Sequence, residues 1–307
     1  MSEFWRKVEK TLAYHSRRTL NAARSVAWEV RRHVAQRPIF ILGCSRAGTT
    51  LVYKTFSESL EIGSLQRETH DFWVDLHPLQ EKNWDTHALD AQDASPQDRD
   101  AVSRYFYSNT GKHRFVDKNN QNGLCVPYLY ALFPDAHFVY VKRSPGDNIN
   151  SLIEGWGKAD EFATWSNDLP ETVAVDDGRY ARWCFFLAEG WRNYLRAPVE
   201  EVCAFQYRAI NQAIIEGRKL VPPAQWNEIF YEDLVKDPVA GFRRSFESCR
   251  LAFTPALERH CAEVLDIPYN AFSEIRLDKW RDGRNHERIE RIMPSVTDVA
   301  RAMGYDF

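Results

Sequence analysis

The chain lacks the features that would place it in a membrane or in an oxidising compartment. It contains no run of about eighteen apolar residues, so no transmembrane helix is expected. Its N-terminus lacks the apolar block and the small-residue cleavage site of a secretory signal. The six cysteines form no C-x-x-C pair, which argues against a zinc site or a disulfide framework. These absences predict a cytoplasmic protein with reduced thiols.

An excess of positive charge is also missing. The chain has 40 Lys and Arg against 43 Asp and Glu, a net charge of −3, which gives no reason to expect nucleic-acid binding. Its 307 residues, of which 44% are hydrophobic, suffice for a substantial core. Because neither an internal repeat nor a low-complexity linker divides the sequence, it predicts a single domain over residues 37–307, preceded by a separate N-terminal segment, residues 1–36.

Positive charge is concentrated in the N-terminal segment. The first 37 residues hold nine Lys or Arg and three Asp or Glu. Apolar residues recur there at helical spacing, so a basic amphipathic helix is predicted. Such a helix can lie on an anionic membrane surface. Its stripe (Ala23, Val26, Val30 and Val34) is narrow, which favours packing on the protein's own core and leaves a peripheral membrane contact through residues 1–36 as the alternative.

The rest of the chain alternates strand-like and helix-like segments. Buried strands are predicted over residues 38–42, 115–117, 137–142 and 226–231. Helices are predicted over 49–60, 95–107, 178–196, 202–217 and 287–303, and also in a segment ending at 132 and in segments starting at 145, 239 and 255. Strands separated by helices predict an α/β fold, a parallel sheet with helices on both faces.

An anion site is predicted where the first strand meets the first helix, in the sequence GCSRAGTT of residues 43–50. It has the two glycines and the final hydroxyl residue of a phosphate-binding P-loop, G-x-x-x-x-G-K-[ST]. Thr49 stands where the lysine belongs, and Arg46 supplies a basic residue inside the loop. The N–H groups of such a turn and the helix dipole attract phosphate or sulfate. Gly48 allows close approach, and Thr50 adds a hydroxyl.

A second anion site is predicted at the end of the strand over residues 137–142. Arg143 is followed by Pro145, which opens a helix, and by Ser151, so that a guanidinium and a hydroxyl can converge on one anion. An isolated pattern of this kind is usually a surface arginine and a helix-facing serine, but its position after the P-loop favours an anion site. The basic strand end, Lys142-Arg143, would repel magnesium. Two anion sites on one sheet indicate a ligand with two separated acidic groups.

Five motifs in this order resemble the sulfotransferases that use 3′-phosphoadenosine 5′-phosphosulfate (PAPS), in the branch with tyrosylprotein and many bacterial sulfotransferases. They are R-A-G-T-T at 46–50, D-K-N-N at 117–120, R-x-P-x5-S at 143–151, Y-E-D-L at 231–234 and K-W-R at 279–281, followed by a terminal G-Y-D. The resemblance covers Arg37 to the C-terminus. It implies the sulfotransferase fold, PAPS as cofactor, and metal-independent transfer of a sulfuryl group to a hydroxyl, less readily to an amine. Two asparagines after Lys118, and Ala47 where serine is common, depart from the family pattern.

The resemblance also implies roles for individual residues. Arg46 and Lys118 would stabilise charge on the leaving group. Glu68 is the expected general base, provided that burial raises its pKa toward neutrality, and His70 is its rival. The residues implied in cofactor binding are Arg46, Ala47, Gly48, Thr49, Thr50, Arg143, Ser151, Tyr231, Ser273, Lys279 and Trp280.

Two other functions fit parts of the pattern. A magnesium-dependent P-loop kinase or nucleoside triphosphatase is disfavoured by the missing loop lysine and by the basic strand end. A non-catalytic P-loop scaffold is disfavoured because the charged positions needed for chemistry are retained. The expected acceptor is a small molecule, glycan or lipid with a free hydroxyl, and loops over residues 75–93 and 157–177 are expected to shape its site. Candidate aromatic residues for the acceptor cleft are Phe72, Trp73 and Trp156.

Overall fold

A parallel sheet of four short strands organises the chain. The computed structural model describes residues 18–32, 34–266 and 275–306. The strands are β1 (Ile39–Leu42), β2 (Val116–Lys118), β3 (His137–Lys142) and β4 (Trp226–Phe230), in the spatial order β2-β1-β3-β4. Each neighbouring pair is parallel. Parallel neighbours need crossover connections, and these carry the helices, so the predicted α/β fold is confirmed.

The helices fill the connections between the strands. Within the described ranges, no helix is both long enough and apolar enough to cross a membrane. The helices are α1 (residues 18–30), α2 (Thr49–Phe56), α3 (His70–Leu76), α4 (Pro96–Thr110), α5 (Val126–Leu132), α6 (Pro145–Trp156), α7 (Ala159–Phe162), α8 (Val199–Arg218), α9 (Tyr231–Lys236), α10 (Pro238–Ser248), α11 (Pro255–Glu263), α12 (His286–Ile292) and α13 (Thr297–Ala302). Short 3-10 helices cover Leu79–Lys82, Ala91–Asp93, Asn122–Leu124, Thr164–Asp168, Trp191–Tyr194, Pro223–Gln225, Val264–Asp266, Lys279–Asp282 and Met293–Ser295.

Both faces of the sheet are buried. Along β1, Phe40 and Leu42 point into one apolar cluster, which also contains side chains of α5, α6 and α8. Ile39 and Ile41 point into a second cluster with side chains of α2, α10 and α11. Since successive side chains of a strand alternate between faces, the unbroken apolar run of β1 reflects burial on both sides, as predicted.

The segment over residues 178–196 was predicted to be helical, and this is wrong. Only Trp191–Tyr194 forms a short 3-10 helix, and the rest is irregular. Phe185 and Gly190 have positive φ angles of 72° and 82°, which no right-handed helix includes. Trp183 packs edge-on against Trp156 with ring centroids 5.4 Å apart. The apolar residues of this segment therefore fill the core without a helical period.

The last predicted helix, residues 287–303, is divided into two. The 3-10 turn Met293–Ser295 separates α12 from α13. Pro294 lies inside this turn, where its ring and its missing N–H prevent a continuous α-helix.

The apolar stripe of α1 faces outward, so its predicted packing on the core is wrong. Ala23 is exposed, Val26 is 66% exposed and Val30 is 80% exposed. The opposite side of the helix holds α1 on the protein through Trp28, which is only 3% exposed. Of the predicted stripe, Val34 alone is partly buried against the core. The part of the predicted helix before residue 18 lies outside the described residues.

All six cysteines are buried and unpaired. Burial raises the pKa of the Cys44 thiol, inside the loop of residues 43–50, far above its ordinary value. It likewise raises the pKa of Cys125 to about 12. These thiols are therefore neutral at physiological pH and act as small apolar core side chains.

Candidate functional site

A cavity of about 300 Å³ lies at the carboxyl ends of the strands. This edge of a parallel sheet is where open α/β folds bind ligands, because loops and helix N-termini converge there. The cavity is lined by the loop after β1, the segment before α3, the end of β2, and the starts of α6 and α9. Of the predicted site residues, those that line it are Arg46, Gly48, Thr49, Thr50, Glu68, His70, Lys118, Arg143, Ser151, Tyr231 and Lys279.

The loop of residues 43–50, called here the glycine loop, opens its backbone toward the cavity. Gly48 has a φ of 97° and a Cβ there would lie 2.4 Å from Tyr231 Cδ2, so only glycine fits. Gly48 is also the N-cap of α2, and no side chain caps this helix start. Asn148 Nδ2 donates to the Ser45 carbonyl at 2.8 Å, which fixes the loop to α6. The uncapped N–H groups of the first turn of α2 can therefore bind an anion.

The two predicted anion sites meet at Arg46 and Arg143, which form a cationic surface in a cavity that Glu154 and Glu161 also line. Arg46 Nε donates to Ser151 Oγ at 3.3 Å, and Arg143 Nη1 donates to the Arg46 carbonyl at 2.8 Å. The Arg143 guanidinium lies 4.6 Å over the Tyr231 ring. Burial, together with the charge of Arg143, lowers the pKa of Arg46 to about 10, so Arg46 remains positive at neutral pH.

Two buried donors of residues that line the cavity have no hydrogen-bond partner among the described residues. They are Arg143 Nε and the Ser45 hydroxyl. Because an unpaired buried donor is costly, such groups indicate that a polar ligand or water completes the site. Guanidinium, hydroxyl and backbone N–H donors are the chemistry that binds phosphate oxygens, so the residues present fit a ligand with phosphate groups.

Residues from three later segments of the chain hold the second anion site in place. Glu232 Oε1 accepts from the Ser144 backbone N–H at 2.8 Å, and Glu232 Oε2 accepts from the Tyr305 hydroxyl at 2.8 Å. Tyr207 Oη donates to the Arg143 carbonyl at 3.1 Å. The Y-E-D-L and G-Y-D motifs thus meet beside the loop that follows β3 and hold it in place.

A turn over Lys279–Asp282 docks on the start of α6. The Asp147 carboxylate accepts from the Asp278 backbone N–H at 2.8 Å. A Cβ at Gly146 would lie 2.2 Å from Trp280 Nε1, so the indole packs directly on the glycine backbone. Trp280 is buried and does not line the cavity, whereas Lys279 does. Ala47, also predicted to bind the cofactor, is buried on the core side of the glycine loop, and Ser273 lies outside the described residues.

Glu68 bridges Lys118 and His70. Its Oε1 accepts from Lys118 Nζ, and its Oε2 lies 2.6 Å from His70 Nε2. Lys118 Nζ also reaches Thr50 Oγ1 at 3.5 Å, which joins this cluster to the glycine loop. Burial opposes ionisation of Glu68, but Lys118 and His70 outweigh it and hold its pKa well below the ordinary value. The expectation that burial raises this pKa toward neutrality is therefore wrong, and Glu68 is a carboxylate at neutral pH.

Three aromatic side chains that were not predicted line the cavity. The rings of Phe162 and Phe185 lie 5.2 Å apart, and Trp165 packs edge-on against His87 at 5.0 Å. Phe162 and Trp165 belong to the loop over residues 157–177, which was expected to shape the acceptor site. The aromatic and acidic residues of this loop were the only signal in the sequence that pointed to them. The three aromatic residues predicted for the acceptor cleft do not line this cavity: Phe72, Trp73 and Trp156.

Part of the chain matches the model of a known protein family. Residues 38–184, slightly under half of the chain, match the model described as "Sulfotransferase family". Two curated relatives, in Mycobacterium bovis and Mycobacterium tuberculosis, are named omega-hydroxy-beta-dihydromenaquinone-9 sulfotransferase Stf3. Each is 22% identical over 159 residues, which cover 50% of this chain and 34% of the relative. The match thus spans about a third of the length of the curated relatives.

Comparison with solved structures extends the likeness of fold beyond the matched region. The sulfotransferase domain of the Synechococcus PCC 7002 olefin synthase superposes with a TM-score of 0.53 at 18% identity, over 90% of this chain and 97% of that one. Sulfotransferase STF9 from Mycobacterium avium gives a TM-score of 0.52 at 14% identity, over 90% and 81%. A sulfotransferase from Alicyclobacillus acidocaldarius gives 0.52 at 18%, over 89% and 98%. These likenesses establish a shared fold.

Proposed function

We propose that this chain, whose residues 38–184 match the sulfotransferase family, transfers a sulfuryl group from PAPS to the hydroxyl of an acceptor. One observation carries the proposal. The glycine loop, the Arg143–Ser151 site and the Glu68–Lys118–His70 cluster all line a single cavity. A nucleotide with separated 3′ and 5′ acidic groups needs two anion sites, and transfer to a hydroxyl needs a proton acceptor beside them.

The cationic surface would bind the cofactor at both ends. Arg46 and the N–H groups at the start of α2 would hold the 5′ end, while Arg143, Ser151 and Lys279 would hold the 3′-phosphate. Bound PAPS would supply the sulfuryl group, with the bond to the acceptor oxygen forming as the bond to the 5′-phosphate oxygen breaks. Lys118 would neutralise the charge that the departing oxygen retains.

Glu68 is the proposed base. It would take the proton of the acceptor hydroxyl, and both of its oxygens already face cavity residues. Its ionised state at neutral pH leaves it able to accept a proton, and because Lys118 and His70 lower its pKa, these contacts have to loosen before it acts as a base. His70 is the alternative base, because it lines the same cavity and its Nε2 lies 2.6 Å from Glu68 Oε2. In either case no metal ion is assigned to the reaction.

The acceptor is proposed to be a hydroxyl compound with an apolar body. Phe162, Trp165 and Phe185 offer aromatic faces to the same cavity that Glu68 and His70 line. Such faces bind apolar or planar groups and leave one polar end at the reacting atoms. The name of the curated relatives, which specifies a hydroxylated menaquinone, is consistent with this class of acceptor.

Adenosine 3′,5′-bisphosphate (PAP), the expected product, tests the donor site directly. A ligand that binds only the native state increases the free energy of unfolding, by about 2.7 kcal/mol when its concentration is 100 times its Kd, and so raises the melting temperature. We expect PAP to shift the melting temperature equally with magnesium and with EDTA, and ADP to shift it less. Arg143→Ala should abolish most of the shift, whereas Arg259→Ala, which removes an exposed arginine on α11, should not. A shift that requires ATP and magnesium would instead support a P-loop kinase.

The outward stripe of α1 supports a further proposal, a peripheral contact with anionic lipid. Val26 and Val30 are exposed on a helix whose segment is rich in arginine. We expect the protein to sediment with vesicles containing phosphatidylglycerol and not with pure phosphatidylcholine vesicles. The pair Val26→Ser and Val30→Ser should reduce the bound fraction about five-fold, since apolar burial drives such binding. Equal sedimentation of variant and wild type, or a concentration-dependent dimer that the variant abolishes, would overturn the contact.

A further inference from the structure

A buried carboxylate with no assigned role lies directly behind the proposed catalytic cluster. Asp117, in β2, is completely buried. Its Oδ1 accepts from Thr69 Oγ1 at 2.6 Å, and its Oδ2 accepts from Trp73 Nε1 at 3.1 Å and from Asn122 Nδ2 at 3.2 Å. An indole N–H and an amide NH₂ only donate. Oδ2 is therefore an acceptor in both of its contacts, and the Thr69 hydroxyl donates to Oδ1. The Thr69 contact ties the segment before α3 to the end of β2, and the Trp73 contact ties α3 itself to the same carboxylate.

The neighbours of these residues in the chain are the residues of the proposed chemistry. Thr69 is completely buried, whereas Glu68 and His70 on either side of it line the cavity. Asp117 likewise faces the core, and Lys118 after it faces the cavity. Two segments are thus joined by two side-chain contacts, Glu68 with Lys118 on the cavity side and Thr69 with Asp117 on the core side.

The two contacts differ in what a reaction would do to them. The Glu68–Lys118 ion pair has to loosen, because Glu68 turns to the acceptor hydroxyl and Lys118 to the leaving oxygen. The Thr69–Asp117 hydrogen bond lies outside the cavity and touches no ligand. It can therefore persist through the whole cycle and keep the two segments in one register while the ion pair is broken.

We propose that Asp117 is a positioning residue: through Thr69 it holds the segment of Glu68 and His70 in register with Lys118. This inference rests on the proposed sulfuryl transfer. A loss of register of a fraction of an ångström is enough to lower a rate, because reacting groups must be aligned within narrow limits. Binding of the cofactor should not depend on it, since neither Thr69 nor Asp117 lines the cavity.

Three variants test the link in steady-state assays that follow PAP release from PAPS, with 2-naphthol as the probe acceptor. Thr69→Val keeps the shape but removes the hydroxyl, and we expect kcat to fall about 10–100-fold, with KM for PAPS within about two-fold of wild type. Thr69→Ser restores the hydroxyl and should restore kcat. Trp73→Phe removes another donor to the same carboxylate but keeps the backbone N–H that donates to the Thr69 carbonyl at 3.2 Å, and it should lower kcat by less than about three-fold.

An outcome in which Thr69→Val lowers thermal stability and PAP affinity but leaves kcat of the folded enzyme unchanged would overturn the proposal, because Asp117 would then be only structural. So would equal losses of kcat in Thr69→Val and Trp73→Phe. In both cases the hydrogen bonds of Asp117 would serve the core and not the register of the two segments.

A second readout does not depend on activity. The ring signals of His70 in an NMR spectrum, identified by their loss in His70→Asn, should shift or broaden in Thr69→Val and Asp117→Asn and return to the wild-type position in Thr69→Ser. Unchanged ring signals in both folded variants would overturn the proposal. If wild-type protein neither binds PAP nor releases it from PAPS, the proposed function fails, and the His70 signals still decide whether Asp117 sets the position of this segment.

Discussion

Replacing Glu68 by glutamine is expected to lower kcat by about 10²–10⁴-fold, the usual contribution of a general base. The amide cannot accept the proton of the acceptor hydroxyl, and it leaves Lys118, whose side chain is only 5% exposed, without its counter-charge. The measurement is the rate of PAP release at saturating PAPS. His70→Gln is the matched control, because it removes the other partner of the same carboxylate.

The pH dependence separates the two candidate bases. Because Lys118 and His70 hold the pKa of Glu68 well below its ordinary value, Glu68 stays ionised throughout the neutral range. If Glu68 is the base, kcat/KM should therefore show no acid limb between about pH 5 and 8, and His70→Gln should leave this profile unchanged. An acid limb in this range that disappears in His70→Gln would identify histidine as the proton acceptor. A greater loss of kcat in His70→Gln than in Glu68→Gln would make His70 the base.

Glu68→Gln should also lower the stability of the protein, and the size of this effect should depend on pH. A carboxylate whose pKa is lowered by folding contributes stability that is complete above its unfolded pKa, about 4.3, and is lost as the pH falls through its folded pKa. Glu68→Gln should thus reduce the free energy of unfolding at neutral pH by about 2 kcal/mol, because a buried lysine loses its partner. The difference from wild type should shrink in acid, as thermal melts across pH would show.

Replacing Gly48 by alanine should abolish binding of PAP. The new Cβ would lie 2.4 Å from Tyr231 Cδ2, and φ is 97°, so the loop or the tyrosine ring has to move. Both changes affect the N–H groups at the start of α2 and the ring under Arg143. We expect PAP affinity to fall at least about 100-fold, as with the loss of two charge-assisted contacts. Isothermal titration calorimetry measures it.

A second glycine separates backbone strain from the steric clash. Gly178 has a φ of 85°, but a Cβ there would meet no atom within 4 Å. Gly178→Ala should cost only the strain of a left-handed residue, about 1 kcal/mol of stability, and leave PAP binding intact.

The double variant Gly48→Ala with Tyr231→Ala removes the clash. Tyr231→Ala alone is measured beside it. If the double variant binds PAP as weakly as Gly48→Ala and Tyr231→Ala alone binds equally weakly, the loss of affinity comes from a missing contact of Tyr231 with the ligand. Normal PAP affinity in Gly48→Ala would contradict the proposed role of the glycine loop.

Local signals in the sequence predicted the sheet, and most of the predicted site residues line the cavity at its carboxyl edge. β1 is a short apolar run between Pro38 and a glycine turn, β3 is one with a basic end, and the glycine loop and Arg143 follow directly from these two strands. Here the fold adds little to what neighbouring residues specify. The same reasoning placed Phe185 in a helix, because an apolar run that fills a core looks alike whether or not it has a helical period.

Properties that depend on distant contacts could not be read in this way. The pKa of Glu68 is set by Lys118, fifty residues further along the chain, and its burial alone suggested the opposite direction. Asp117 was visible only as the neighbour of a motif lysine, since Thr69 is 48 residues away. Val26 and Val30 face outward because Trp28, on the opposite side of α1, packs against the protein. The periodic stripe in the sequence does not specify which side of the helix is buried.

The burial of all six cysteines has a practical consequence for experiments on this protein. Maleimides and other thiol reagents attack the thiolate, and a neutral thiol enclosed in the core reacts slowly with them. The native protein should therefore take up little label, with Cys44 protected even though it lies in the glycine loop. A single cysteine introduced at Val30 on the outer side of α1 would then carry a fluorophore or spin label alone, without prior removal of any native cysteine.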